Sequence, residues 1–453
     1  MLVSVNPATG KQAHEVESLD EQGLKETLDA VTAAADTWRK TSIAERAKVL
    51  HSVAAKLREQ KETIGTLMTE EMGKPVKEAG PEVEKGAWCA EHYAEHAADY
   101  LKDEVIASDA SKSYVSYQPL GAVLCIFPWN APVWVAMRGI VPALMAGNTV
   151  AMKHDPHVPA CAAALEKAFI EAGAPANIIR NLPIPTELAE QAIRHPGVQA
   201  VSFTGSSKAG AIVASTAASE VKHSVLELGG SDPFVVLADA DLEAAADIAT
   251  LSRIINAGQS CIAAKRIIIE APVYDKFVGM LKERLAKLKV GDPTKEDTDL
   301  GPIAREDLRE NLHRQVTQTV EEGADCLLGG ELPEGPGYFY PCTLLAGVTP
   351  NMCVFNEETF GPVMVAVKAE NAEAALELAN QTEYGLGAAI WTADEKQALH
   401  FANELQAGQV SVNGIVKTDP RLPSGGIKRS GMGRELGPHG IREFTNAKQI
   451  WIK

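Results

Sequence analysis

Residues 256–261 read NAGQSC, a small turn-forming stretch that ends on a cysteine and runs straight into the apolar Ile262, Ala263 and Ala264. A cysteine in that setting is either a small buried hydrophobe or a nucleophile, and a glycine turn with free backbone amides favours the thiolate. The same amides would hold the oxyanion formed on an attacked carbonyl. Glu227 sits inside the apolar run VLELGG. Its carboxylate either faces the far side of a sheet or occupies a poorly solvated site that lifts its pKa toward general-base range. Asn130 ends Phe127-Pro128-Trp129-Asn130, where an amide at the carboxyl end of a strand can serve a ligand, cap the following helix, or do both. Lys153 ends the short run TVAMK, from which it can reach a ribose hydroxyl or phosphate, although most lysines are simply solvated. In Thr204–Gly210, TGSSKAG, a helix opens just after the strand-like VQAVSF. Its first amides suit a pyrophosphate, but an ordinary strand-to-helix junction also favours a glycine and a serine cap.

The elements that must position these side chains follow from the hydrophobic pattern. At 453 residues, 45% of them apolar and 23% charged, the chain is globular and long enough for two or three domains of about 150 residues each. Residues 20–100 carry Ala, Glu, Lys and Leu at helical spacing, with a stop at Gly73-Lys74-Pro75. SYVSYQ (113–118) then alternates like a strand with two wet faces, and GAVLCIF (121–127) reads as a buried strand. Apolar runs alternate with helical stretches from there on, before and after Gly230. The economical fold class is α/β, with two doubly wound parallel-sheet lobes. The final IREFTNAKQIWIK ends as an amphipathic strand, free to pair with SYVSYQ or with another subunit.

A formal charge of −17 repels phosphate backbones and anionic membranes, which argues against nucleic acid as a partner. An anionic substrate would need a local cationic site acting against that field. No basic leader precedes an apolar run, and no stretch approaches the roughly 18 apolar residues of a membrane span, so the expected location is cytoplasmic. The seven cysteines are scattered, odd in number and without CxxC spacing, so neither a disulfide framework nor a metal site is signalled. The GxGxxG fingerprint of the usual dinucleotide fold is absent.

FPWN, VLELGGSDP, NAGQSCIAAKR, EETFGPV and PSGGIKRSGMGRELG, in this order along the whole chain, resemble the NAD(P)-dependent aldehyde dehydrogenase superfamily, and most of all its short bacterial succinate-semialdehyde dehydrogenases. The resemblance implies Cys261 as nucleophile, Glu227 as general base, and Asn130 with the Cys261 amide as oxyanion hole. It implies NAD or NADP held by Phe127, Pro128, Trp129, Lys153, Pro156, Gly205, Ser206, Leu228, Glu358 and Phe360. Cys261 would add to the aldehyde, hydride would leave for nicotinamide, and Glu227 would activate the water that hydrolyses the thioester. The implied layout is a dinucleotide-binding domain (1–110 and 127–229), a catalytic domain (230–425) and an oligomerisation arm (111–126 and 426–453) of a homodimer or homotetramer.

Three departures bear on specificity. Ser231 stands where many relatives have lysine. Pro156 stands where many carry a ribose-binding glutamate, which predicts tolerance of NADP. Ile255 stands where longer semialdehyde dehydrogenases often carry arginine. Arg138 matches a substrate-carboxylate arginine of the group, Trp134 would line the tunnel, and Arg421 with Ser424 would complete the carboxylate site. Arg138 in an interlobe ion pair is the competing structural role. The leading expectation is oxidation of succinate semialdehyde or another omega-carboxy aldehyde such as glutarate semialdehyde. A broad-specificity dehydrogenase for uncharged aldehydes is the alternative on the same fold. A silent homologue would have lost one of the reacting side chains, and a CoA-acylating enzyme would not need Glu227.

Overall fold

The computed structural model describes all of residues 1–453. A hairpin, Leu2–Asn6 with Lys11–Val16, precedes four helices, Glu21–Trp38, Ile43–Glu59, Lys61–Met72 and Val76–Tyr100. The helices begin and end on local signals. Asp20 accepts from the Gly23 amide, Ser42 and Glu45 form a reciprocal capping box, and left-handed Gly73 closes the third.

Two sheets follow. The first runs, in spatial order, Gly431–Met432, His223–Glu227, Val198–Thr204, Ala122–Phe127, Thr149–His154, Ile179–Asn181, parallel except at the Gly431–Met432 edge. The second has seven strands, Asp325–Leu328, Thr343–Ala346, Val363–Ala369, Arg266–Glu270, Pro233–Val236, Gly387–Trp391 and Gln409–Val412, with only Asp325–Leu328 antiparallel. Central strands such as Ala122–Phe127 and Thr149–His154 are buried at every position, because helices cover both faces of a parallel sheet. The α/β class with two parallel-sheet lobes is therefore what the alternating runs predict. No helix is long and apolar enough to cross a membrane.

The expected arm boundaries need correction. Thr445–Ile452 pairs with Lys112–Pro119, and Glu104–Val105 completes a three-stranded antiparallel sheet. Ala122–Phe127, however, lies at the centre of the first sheet rather than in the arm, since a wholly apolar strand needs two covered faces. The 426–453 segment is likewise divided. Gly431–Met432 edges the first sheet, and the helix Gly437–Glu443 packs on Val76–Tyr100 and Trp134–Met145 before the chain reaches the arm.

Asn148 joins these pieces. Fully buried, it accepts from the Leu120 and Gly121 amides (2.8 and 3.0 Å) and donates to the carbonyls of Ala143 and Phe444 (3.2 and 2.9 Å). Asn148→Ala strands three backbone groups, the Leu120 and Gly121 amides and the Phe444 carbonyl, because the Ala143 carbonyl keeps the Asn148 backbone N–H (3.0 Å), and should cost about 3 kcal/mol. The urea midpoint of the variant checks this, and an unchanged midpoint contradicts it.

Candidate active site

The NAGQSC stretch adopts an unusual path. Asn256, Ala257 and Gly258 are consecutive left-handed residues (φ 57°, 53° and 74°), of which only the glycine adopts that region freely. A side chain at Gly258 would also collide with the Gly361 carbonyl. Neighbours hold the turn in place. Glu78 accepts from the Asn256 amide (2.8 Å), and the Asn256 side chain donates to the carbonyls of Asn130 (2.7 Å) and Gln259 (3.1 Å). Buried Arg253 donates to the carbonyls of Gly258, Thr359 and Gly361, and burial lowers its pKa to about 9. Lys265, also buried, donates to the carbonyls of Ser260 (2.8 Å) and Cys261 (2.6 Å) and pairs with Glu358 (3.2 Å).

Cys261 opens on a cavity of about 660 Å³ that Asn130, Trp134, Arg138, Ile255 and Thr418 also line. Its backbone N–H makes no hydrogen bond within the chain, and the Asn130 side-chain amide, donating to the Gln259 carbonyl (3.0 Å), faces the same space. Asn130 and Cys261 thus bring a side-chain amide and an unpaired backbone N–H to one cavity. Burial pushes the Cys261 thiol up to about 11, against the pull of Arg138 and Lys265.

Glu227 does not line this cavity. It ends the strand His223–Glu227, buried, with Oε1 free of any partner and left-handed Gly425 packed against it. Burial, then the neighbouring Glu435 carboxylate, raises its pKa, while Arg138 and Arg434 oppose. The poorly solvated site is thus the one of the two expected environments that the fold provides. Arg138 is buried between the two acids and ion-paired with Glu435, so the structural pairing exists, and its Nη2 still lacks a partner.

The pair expected to complete a carboxylate site lies elsewhere. Arg421 is exposed, salt-bridged to Asp419 (2.6 Å), and faces a neighbouring cavity. Ser424 is buried against Glu435 and accepts from Gln409 (3.3 Å), outside the Cys261 cavity. Asp419, only two residues from Arg421, captures its guanidinium before it can reach the cavity.

Along the carboxyl ends of the first sheet, donors lack acceptors. Lys153 is buried without a carboxylate partner and makes only a 3.3 Å bond to the His154 carbonyl, and burial lowers its pKa. The helix Ser207–Ser219 starts at Gly205-Ser206, where Ser206 caps the Ala209 amide and the Ser207 and Lys208 amides bond to nothing. Such a row of donors fits the hydroxyls and phosphates of a dinucleotide. Leu228 packs against Gly210, and Trp129 meets Phe360 edge to face at 5.8 Å. Glu358 accepts from the Gly230 amide (3.1 Å). Phe127 is buried, packed against Gly139 and near His154, while Pro128 and Pro156 are part-exposed. His154 is turned inward onto the Pro132 carbonyl (2.8 Å) and its pKa falls to about 4 through burial. It is therefore neutral and unavailable to a phosphate.

Sequence reading missed the helix Val76–Tyr100 as a wall of the site. Glu78, Glu82 and Lys85 lie on one face and all line the cavity. The signal was present as charges at i, i+4 and i+7 among alanines, which reads equally well as a solvated face.

Comparison with known proteins agrees with this geometry. The aldehyde dehydrogenase family model matches residues 2–450. The chain is 44% identical over 451 residues to the probable succinate-semialdehyde dehydrogenase (NADP+) of Synechocystis sp., covering 100% of this chain and 99% of that one. It is 44% identical to the succinate semialdehyde dehydrogenase (NAD(P)+) Sad of Escherichia coli K12, covering 99% and 97%. The succinic semialdehyde dehydrogenase of Streptococcus pyogenes, solved in complex with NADP+, superposes with a TM-score of 0.97 at 34% identity over 100% of both chains. With the match unbroken across both lobes and the arm, the chain belongs to the aldehyde dehydrogenase family.

Proposed function

We propose that the protein oxidises succinate semialdehyde, or a close omega-carboxy aldehyde, to the carboxylic acid with NAD or NADP. The observation that carries this is the Cys261 cavity, where a thiol, two oxyanion donors and unneutralised cations share one space in a chain of net charge −17. The names of the relatives point the same way.

Cys261 Sγ bonds to the aldehyde carbon, and the Asn130 side chain with the Cys261 amide holds the resulting alkoxide. When bound, the nicotinamide supplies the two-electron oxidant. The acyl group then rests on Cys261 as a thioester, and Glu227 takes a proton from the water that attacks it. A raised pKa suits that task, because the carboxylate becomes a base strong enough for water while still ionising near neutral pH. Lys153, Gly205 and Ser206 would hold the ribose and pyrophosphate, and Glu358 with Phe360 the nicotinamide end. Pro156 places no carboxylate to repel a 2′-phosphate, which supports use of NADP.

The arm supports a homo-oligomer, since Val105, Ile106, Trp451 and Ile452 expose apolar surface along it. Seven free cysteines suit the reducing cytoplasm.

A substrate panel run in parallel with NAD+ and NADP+ tests the reading. Succinate semialdehyde should exceed butyraldehyde in kcat/KM, and NADP+ should sustain turnover. Butyraldehyde as the better substrate, or no activity with NADP+, refutes the corresponding part. Glu227→Gln should keep a burst of one reduced cofactor per site while steady-state turnover drops by about 10²-fold or more. Loss of the burst as well would remove Glu227 from deacylation alone. For cofactor-free enzyme, the thiolate fraction of Cys261 grows about tenfold per pH unit below about 11. Alkylation by iodoacetamide should therefore accelerate from pH 7 to 10 without levelling off, and a plateau near pH 8 would contradict the buried-thiol environment.

A further inference from the structure

Lys265 is almost wholly buried and does not line the Cys261 cavity. Its ammonium donates to the Ser260 carbonyl at 2.8 Å and to the Cys261 carbonyl at 2.6 Å, and it pairs with Glu358 at 3.2 Å. An ammonium has three N–H groups and no acceptor, so three such partners meet its needs. Burying a lysine this deeply is costly, and a buried ion pair returns little net stability compared with an apolar side chain of similar volume. Stability alone therefore gives no reason for a cation at this position.

The partners supply one. Glu358 Oε1 also accepts from the Gly230 amide at 3.1 Å, in the segment that follows Glu227. The backbones approach closely there. A side chain at Gly230 would meet the Cys261 carbonyl oxygen at 2.8 Å, and one at Gly229 would collide with the Glu358 carboxylate. The glycine pair of VLELGG thus leaves the room in which Lys265, Glu358 and the Cys261 carbonyl come together. Asp232, in the same segment, accepts from the Lys265 backbone amide at 3.1 Å. Lys265 is in this way tied both to the stretch that carries the thiol and to the stretch that follows Glu227. Its charge also acts on the thiol. Burial raises the Cys261 pKa, Arg138 and then Lys265 pull it down, and Glu358 and Glu227 push it up.

We propose that Lys265 is a positioning residue for the Cys261 nucleophile: it clamps the carbonyls of Ser260 and Cys261 to Glu358 and Gly230 and keeps a fixed positive charge close to the thiol. The role rests on Cys261 being the nucleophile, as proposed above.

The test is the rate at which iodoacetamide alkylates Cys261 in the cofactor-free protein between pH 7 and 10. It is followed on the Cys261 peptide by mass spectrometry, because exposed Cys326 also reacts. Lys265→Met should slow the reaction about tenfold at every pH in that range, the effect of moving the thiol titration up by about one unit. Lys265→Arg, which keeps the cation, should stay within about threefold of the wild type. Glu358→Gln keeps an acceptor for the Gly230 amide and removes the charge that opposes Lys265, so it should react about threefold faster than the wild type. A merely structural lysine would lower the urea midpoint and leave alkylation of the folded protein unmoved. A rate in Lys265→Met within about twofold of the wild type overturns the proposal, as does equal slowing in Lys265→Arg and Lys265→Met. Should Lys265→Met not fold, Glu358→Gln decides, and an unchanged or slower rate there overturns it. The readout uses neither aldehyde nor cofactor, so failure of the substrate panel would leave the alkylation result to settle the role of Lys265. Turnover that survives complete alkylation of Cys261 would instead refute that residue as nucleophile, and this assignment with it.

Discussion

The turn before Cys261 is strained, and the site depends on what holds it. Two of its three left-handed residues carry side chains, at a cost of about 1–2 kcal/mol each. Arg253 and Lys265 offset that cost by donating to the carbonyls of Gly258, Ser260 and Cys261, bonds worth roughly 1.5–3 kcal/mol apiece when the donor is charged. With the carbonyls tied back into the protein, the Cys261 N–H is left without a partner in the chain. Strain in the backbone and an unpaired N–H at Cys261 are thus two aspects of one arrangement.

Charge is distributed to the same end. The chain carries a net charge of −17, yet cations gather at the Cys261 cavity, and most of those are paired with a carboxylate. Arg138 illustrates the consequence. Close to Glu227 and Glu435, it limits how far burial and repulsion raise the pKa of Glu227, while its field also reaches the Cys261 thiol. A carboxyl too buried would never ionise and a thiol too buried would never react, so one guanidinium moderates both groups.

Much of this was legible in the sequence where the information is local. Strands such as Ala122–Phe127 and the helical character of residues 20–100 follow from apolar periodicity, and the motif order leads to the family. What escaped depends on contacts between distant segments. Arg421 sits close in sequence to Ser424, but nothing in that spacing reveals that Asp419 takes its guanidinium. Sequence likewise could not show that Arg253 and Lys265 turn inward rather than into solvent. The arm boundary failed for a related reason: a strand's location is set by its neighbours, and the apolar composition of 122–127 was a better guide than its adjacency to 112–119.

The helix Val76–Tyr100 ties these distant pieces together. Glu78 accepts from the amide of Asn256, at the head of the strained turn. One turn later Glu82 accepts from the Val133 and Trp134 amides (2.9 and 3.1 Å), capping with negative charge the start of the helix that follows Asn130 and bears Arg138. Lys85, a further turn on, points into the same cavity. Because a helix keeps these three side chains at fixed spacing, it sets the Cys261 turn, the start of the helix after Asn130 and the Lys85 side of the cavity in one frame. Their separation is then decided by helix geometry rather than by the loops, which is how a cavity lined by residues as distant as 78 and 418 can keep its shape.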